Sequence, residues 1–142
     1  MQLNITTDYA IRMMLYLAQV DCKTNSAEIA QSLQIPINTC KKNLQLLKKR
    51  ELVKARPGID GGYFLSRKAS QITLKDIVRA MDEKTEFNRC LEPDCFCNRG
   101  AVEHCPVRAV YTDAQKALDK AFQTTLQDLV NCSLIFKKTK HI

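Results

Sequence analysis

With 45% hydrophobic and 26% charged residues, the 142-residue chain has the balance of a soluble globular protein, and no run approaches the roughly 20 apolar residues of a membrane span. It is too short for two full enzyme domains. Lys and Arg outnumber Asp and Glu 22 to 15, a net +7 that suits a polyanionic partner.

The first residues, Met1 to Asp8, show no basic start followed by a long apolar stretch, so a cytoplasmic chain without a secretory signal is expected. In that reducing compartment seven cysteines point to metal or redox chemistry, and their odd number argues against a fully paired disulfide framework. Ala10, Met13, Met14, Leu17 and Ala18 recur at spacings of three and four between Thr6 and Val20 and predict a first amphipathic helix. Asn25 or Ser26 caps a short second helix through Ile29, Ala30 and Leu33, with Glu28 in capping-box position. Pro36 suits the opening of a third, since its missing N–H would have had no partner in a first turn. Leu44, Leu47 and Cys40 give that helix one apolar face, and Lys41, Lys42, Asn43, Gln45, Lys48, Lys49 and Arg50 supply polar groups elsewhere. Two helices joined by a tight turn, the second basic, read as a helix-turn-helix.

Two short strands, 52–55 and 63–65, flank a segment rich in turn formers and predict a hairpin wing. A fourth helix over Ile72 to Met81, with Thr73 as its cap, closes the small core. From Asp82 to Pro106 the chain is dense in Cys, Asn, Gly and charge, a loop that something must hold. From Val107 to Val130 the apolar spacing persists through Val110, Ala114, Ala117, Leu118, Ala121, Phe122, Leu126 and Leu129. That predicts one long helix, read as pairing with a second copy, with folding back on its own domain as the alternative. The expected fold class is therefore mainly α: a winged helix-turn-helix with a small β-hairpin wing plus a long carboxy-terminal dimerisation helix. Its parts are a DNA-binding domain over 1–81, a cysteine-rich sensor loop over 82–106, the dimerisation helix over 107–131 and a basic tail over 132–142.

A recognition helix needs polar side chains near its amino end for base edges and basic groups beside them for phosphates. Asn38 and Thr39 are the candidate base readers, and Lys41 and Lys42 the candidate phosphate contacts. Arg56, beside Pro57 and Gly58 at the hairpin tip, suits a narrow minor groove, and Gly58, Gly61 and Gly62 permit a tight turn close to the duplex. Asp60 in the same wing would repel phosphate unless it turns away or is paired.

Cys90, Cys95, Cys97 and Cys105 follow the spacing C-x4-C-x-C-x7-C, with His104 beside the last. Thiolates at this density suit an iron–sulfur cluster or zinc, and a thiol–disulfide switch needs only two of them. The spacing does not name the metal. Cys22, Cys40 and Cys132 are scattered and read as buried small apolar residues. No C-x-x-C, nucleophile–base pair or phosphate loop supports an enzyme.

Several segments together carry a resemblance: Met1-Gln2-Leu3 with Thr7-Asp8-Tyr9-Ala10-Ile11-Arg12, Ile29-Ala30, Ile35-Pro36, Gly61-Gly62-Tyr63-Phe64-Leu65, the cysteine loop, and Thr125-Leu126-Gln127-Asp128-Leu129. Over about residues 1 to 131 the chain resembles the bacterial iron–sulfur winged-helix regulators that include IscR and NsrR, with NsrR-like features. The resemblance implies a homodimeric DNA-binding transcription regulator, read as a repressor, on a palindromic double-stranded operator, with three loop cysteines holding a 2Fe-2S or 4Fe-4S cluster that senses nitric oxide, iron or redox state. Cys90 and Cys105 match the family's first and last ligands, and both Cys95 and Cys97 are offered for the middle one. NsrR-like members take a fourth ligand from an aspartate of the partner subunit, and Asp8 stands at that position; its other reading is a helix cap. The histidine that IscR-like members place after the last cysteine is absent, since Pro106, Val107 and Arg108 follow Cys105. The alternative function keeps the winged helix and makes the loop a structural zinc site or a thiol switch.

Overall fold

The structure, a computed structural model, describes the backbone of residues 2–82 and 84–139, and side chains through Cys132. Helix α1 (Ile5–Val20) starts at Asn4, whose side chain accepts from the Thr6 N–H. Asn4, not Asp8, is therefore the cap; Asp8 lies in the first turn, where a carboxylate favours the helix dipole. Helix α2 (Ser26–Leu33) is capped by Asn25, which accepts from the Glu28 N–H at 2.8 Å. The Glu28 carboxylate instead accepts from the Tyr16 hydroxyl. Gln34, in the left-handed conformation at φ 54°, ends α2, and Pro36 opens helix α3 (Ile37–Lys49), so the turn of the helix-turn-helix occupies only three residues.

Strands β1 (Val53–Arg56) and β2 (Gly62–Leu65) pair antiparallel, Val53 opposite Leu65 and Arg56 opposite Gly62. Thr24 extends the hairpin by exchanging two backbone hydrogen bonds with Tyr63, at 3.0 and 2.8 Å. Two glycines make this geometry possible. A Cβ on Gly61 would sit 2.1 Å from the Arg56 carbonyl oxygen, and one on Gly62 would meet the Thr24 backbone at 2.9 Å. Helix α4 (Leu74–Met81) carries a full capping box between Thr73 and Asp76. The core lies among α1, α2, α3, α4 and β1, where Met13, Met14, Leu17, Ile29, Leu44, Leu47, Ile72 and Ile77 are fully or almost fully buried.

The carboxy-terminal region departs from the sequence expectation. In place of one helix over 107–131 there are two, α5 (Pro106–Ala121) and α6 (Leu126–Thr139), and the expected basic tail continues α6 as far as Thr139; residues 140–142, with His141, lie outside the described residues. The break has a specific cause. The first-turn N–H groups of α4, which have no partner within their own helix, donate to the link: Leu74 to the Thr124 carbonyl at 3.0 Å and Lys75 to the Phe122 carbonyl at 2.9 Å. Thr125 and Asp128 then form a reciprocal capping box that restarts the helix. Leu126, fully buried, anchors α6, which packs back on α1 and the 3₁₀ turn Ala69–Gln71. Helix α5, about 24 Å long at 1.5 Å per residue, has no buried residue, and Val107 and Val110 stand 51% and 66% exposed.

Candidate functional site

Helix α3 turns Cys40, Asn43, Leu44 and Leu47 into the core, which leaves Asn38, Lys41, Lys42 and Gln45 exposed and Thr39 half-buried. Three of the four α3 candidates for base or phosphate contact, Asn38, Lys41 and Lys42, thus face solvent on one side of the helix. Asn43, grouped with the surface polar residues from sequence, is buried; its amide donates to the Thr6 carbonyl of α1 at 3.0 Å. A polar residue at a core position breaks the hydrophobic pattern, so only its partner reveals where it sits.

The wing tip lies beside the start of α2. A cleft of about 420 Å³ is lined by Asn25 and Ser26 on one side and by Arg56, Pro57, Gly58 and Ile59 on the other, with Lys48 from α3. Arg56 and Asp60 are both exposed, and Gly58 adopts a positive φ of 104° with open space around it. Ile59, which sequence reading passed over, is fully solvent-exposed at the tip.

In the cysteine loop, Cys90 lies in a 3₁₀ turn (Arg89–Leu91) and Cys105 caps α5 immediately before Pro106. Cys90, Cys97 and Cys105 line one pocket of about 380 Å³, with Phe96, Val102, Val107 and Tyr111 as its apolar lining. Cys95 does not line it. Its backbone takes the left-handed conformation, φ 48°, and its exposed thiol lies 3.8 Å from the Arg108 guanidinium. His104 is exposed and likewise absent from the lining. Asp8 is ion-paired with Arg12 at 2.7 Å, away from the pocket of its own chain.

The loop, which has no core of its own, is tied down by polar contacts. Arg89 meets Asp94 in a two-pronged pair, reaches Glu92 at 3.1 Å and lies 5.2 Å above the Phe96 ring. The Arg89 hydrogen bond holds the Asp94 carboxyl down to about 2. Arg108 donates to the Cys90 carbonyl at 3.2 Å, and the Asn88 amide to the Cys90 sulfur at 3.3 Å. Around Cys97, hydrogen bonds from the backbone of Ala101 and Arg99 hold the thiol below its ordinary range. On the α5 side, Phe87 stacks tilted on Tyr111 at 5.4 Å, and Gln115 takes the Phe87 N–H.

Cys40 is buried, as expected, and burial pushes its thiol up. Cys22 and Cys132, expected inside, are exposed: Cys22 follows the C-terminal end of α1, and Cys132 lies on the outer side of α6. Among the described residues no three of His, Cys, Asp and Glu gather closely enough to hold a single metal ion.

A family model for Rrf2, described as an iron-dependent transcriptional regulator, matches residues 3–132. The chain belongs to the Rrf2 family. It is 32% identical over 133 residues to protein rrf2 of Nitratidesulfovibrio vulgaris, covering 92% of this chain and 87% of the relative. It is 30% identical to the transcriptional regulator NsrR of Shouchella clausii over 136 residues, 92% and 89% of the two chains. Among solved structures, CymR, the global cysteine regulator of B. subtilis, superposes with a TM-score of 0.77 at 23% identity, covering 92% of this chain and 97% of that one. IscR of T. potens does so at 0.74 and 20%, over 94% and 88%. These likenesses bear out the mainly helical fold with its two-stranded wing. As an Rrf2-family transcription regulator the protein is a DNA-binding protein and not an enzyme. No helix among the described residues is long and apolar enough to cross a membrane.

Proposed function

We propose that this Rrf2-family regulator binds a palindromic operator as a cytoplasmic homodimer and that the state of its cysteine loop sets operator affinity. The observation that carries the sensing half is the convergence of Cys90, Cys97 and Cys105 on one pocket at the amino end of α5. On the DNA side, Asn38 and Thr39 read base edges, Lys41 and Lys42 hold phosphates, and Arg56 with Gly58 enters the adjacent minor groove. The dimer is supported by α5, where Val107, Val110, Ala114, Ala117 and Ala121 repeat at alternating three- and four-residue steps, a seam that one chain leaves largely uncovered.

The donor set fits an iron–sulfur cluster. A tetrahedral zinc with bonds of about 2.3 Å holds its sulfurs roughly 3.8 Å apart. Among the described residues no three metal-ligating side chains gather closely enough for one ion, and cysteine thiolate is the ordinary ligand of iron–sulfur clusters, which supports the cluster reading over the zinc alternative. Cys90, Cys97 and Cys105 would hold it, and Asp8 of the partner subunit would complete the set as a hard, weakly held ligand. Such a group, 2Fe-2S or 4Fe-4S, supplies thiolate-bound iron open to nitric oxide, iron supply or oxidants. This chain's residues do the rest: Phe96, Val102 and Tyr111 give the pocket an apolar wall, and Arg108 ties the Cys90 turn to α5.

A second reading rests on Cys95, which stands outside the pocket two residues from Cys97 and beside a guanidinium; the two form the nearest thiol pair along the chain for a thiol–disulfide switch. The two readings separate on anaerobically purified protein. The first expects a visible chromophore with iron and sulfide in stoichiometric amounts, and operator binding that weakens steeply with salt. Colourless, iron-free protein with stoichiometric zinc, or reversible Cys95–Cys97 oxidation that alone controls binding, would overturn it.

A further inference from the structure

Three polar side chains are buried among the described residues: Thr7, Thr24 and Asn43. Thr24 serves the wing. The other two act on consecutive residues in the first turn of α1. The Thr7 hydroxyl donates to the Asp82 carboxylate at 3.2 Å, where α4 ends and the cysteine loop begins. The Asn43 amide, from the middle of α3, donates to the Thr6 carbonyl at 3.0 Å. Both hydrogen bonds cross between elements, and a hydrogen bond fixes its two partners within a narrow distance whereas apolar contact tolerates sliding, so what these groups add is registry.

We propose that the first turn of α1 is the joint through which the root of the cysteine loop acts on the recognition helix, Thr7 engaging Asp82 on one side and Asn43 gripping Thr6 on the other. Thr7 and Asn43 are positioning residues; neither is among the residues assigned here to DNA or to the loop's sulfur site. This rests on the DNA-reading role proposed for α3. A displacement of Asp82 pulls on Thr7, the turn shifts with it, and Asn43 carries the shift to a helix whose opposite face bears Asn38 and Lys42. Asp8 lies in the same turn, so a ligand drawn from that residue would load the joint from a second direction.

The test reads the protein both alone and on DNA. Hydrogen–deuterium exchange of the 37–49 amides is measured in the full chain for wild type, Thr7→Val, Thr7→Ser and Asn43→Leu, together with operator affinity. Thr7→Val, which removes the hydroxyl that donates to Asp82 and leaves the Asn43–Thr6 hydrogen bond its donor and acceptor, is expected to raise exchange in 37–49 at least threefold and to change operator affinity at least fivefold. Thr7→Ser, which keeps the hydroxyl, restores both. In the Asn43→Leu background Thr7→Val has no further effect. Asp82→Ala breaks the same bond from its half-buried acceptor side and stands in where Thr7→Val does not fold, as judged by circular dichroism. Unchanged exchange in 37–49 on breaking Thr7–Asp82, or effects of Thr7→Val and Asn43→Leu that simply multiply, overturns the joint. Loss of all DNA binding in the wild type would overturn the regulator reading instead, and exchange would still judge the joint.

Discussion

Leu126→Ala tests whether α6 belongs to the domain that carries it. Leu126 is fully buried and is the first residue of a helix that folds back onto α1. Losing its transfer energy removes about 2 kcal/mol, and the cavity left behind raises the total to about 3 kcal/mol. For a chain of this size that lowers the melting temperature by roughly 10 °C. The assay is thermal and urea denaturation followed by circular dichroism at two protein concentrations a hundredfold apart. Docking within one chain predicts the same loss of stability at both; a leucine facing a partner copy predicts a loss that grows on dilution. Had α5 and α6 formed the single pairing helix that the spacing suggests, Leu126 would lie in its seam and the loss would follow that dilution-dependent pattern. A loss below about 1 kcal/mol would refute the fold-back and the account of the break at Thr125.

On operator DNA, Asn38→Ala is expected to cost about 1–3 kcal/mol of discrimination at one base position, whereas Lys42→Ala weakens all sequences alike and lowers the salt slope by about 0.9; fluorescence anisotropy at several salt concentrations checks both. Gly61→Ala forces a Cβ to within 2.1 Å of the Arg56 carbonyl oxygen and must displace the wing tip, so operator affinity should fall about tenfold, as from the lost minor-groove contact of Arg56, while the helical circular dichroism spectrum is kept. Lys75 and Asp119 tie α4 to α5 at 2.6 Å, and that hydrogen bond holds the Asp119 carboxyl below its ordinary range. A depressed carboxyl stabilises the fold above its unfolded value near pH 4 and loses that contribution as pH falls through the folded value. The stability gap between wild type and Asp119→Asn, under about 1 kcal/mol for this half-exposed pair, should therefore shrink in urea melts from pH 7 to pH 3; a gap that widens in acid would contradict the pairing.

The helix-turn-helix and wing were legible because local signals agree with tertiary ones there: Asn25 and Thr73 cap where expected, Pro36 opens α3, and Gly61 and Gly62 sit where the backbone leaves no room for a side chain. The long helix misled because periodicity through Phe122 and Leu126 continues across a break made by hydrogen bonds from α4, which no local pattern reports. The signal that was present is Thr125-x-x-Asp128, a capping box inside an apolar run. Asn43 was misplaced for a related reason, since polarity predicts exposure unless a buried carbonyl awaits it. In the cysteine loop, spacing alone left Cys95 and Cys97 equivalent. What separates them is tertiary placement: Cys97 lines the pocket with Cys90 and Cys105, and Cys95 does not.

The central claim, that Cys90, Cys97 and Cys105 form the element controlling DNA binding, is tested most directly by operator affinity measured anaerobically on iron–sulfur-loaded and iron-free protein for wild type, Cys95→Ala and Cys97→Ala. Loading should change the dissociation constant at least tenfold in wild type and Cys95→Ala and leave it unchanged in Cys97→Ala, which should also fail to retain iron and sulfide. A full response in Cys97→Ala, or its loss in Cys95→Ala alone, would contradict the account.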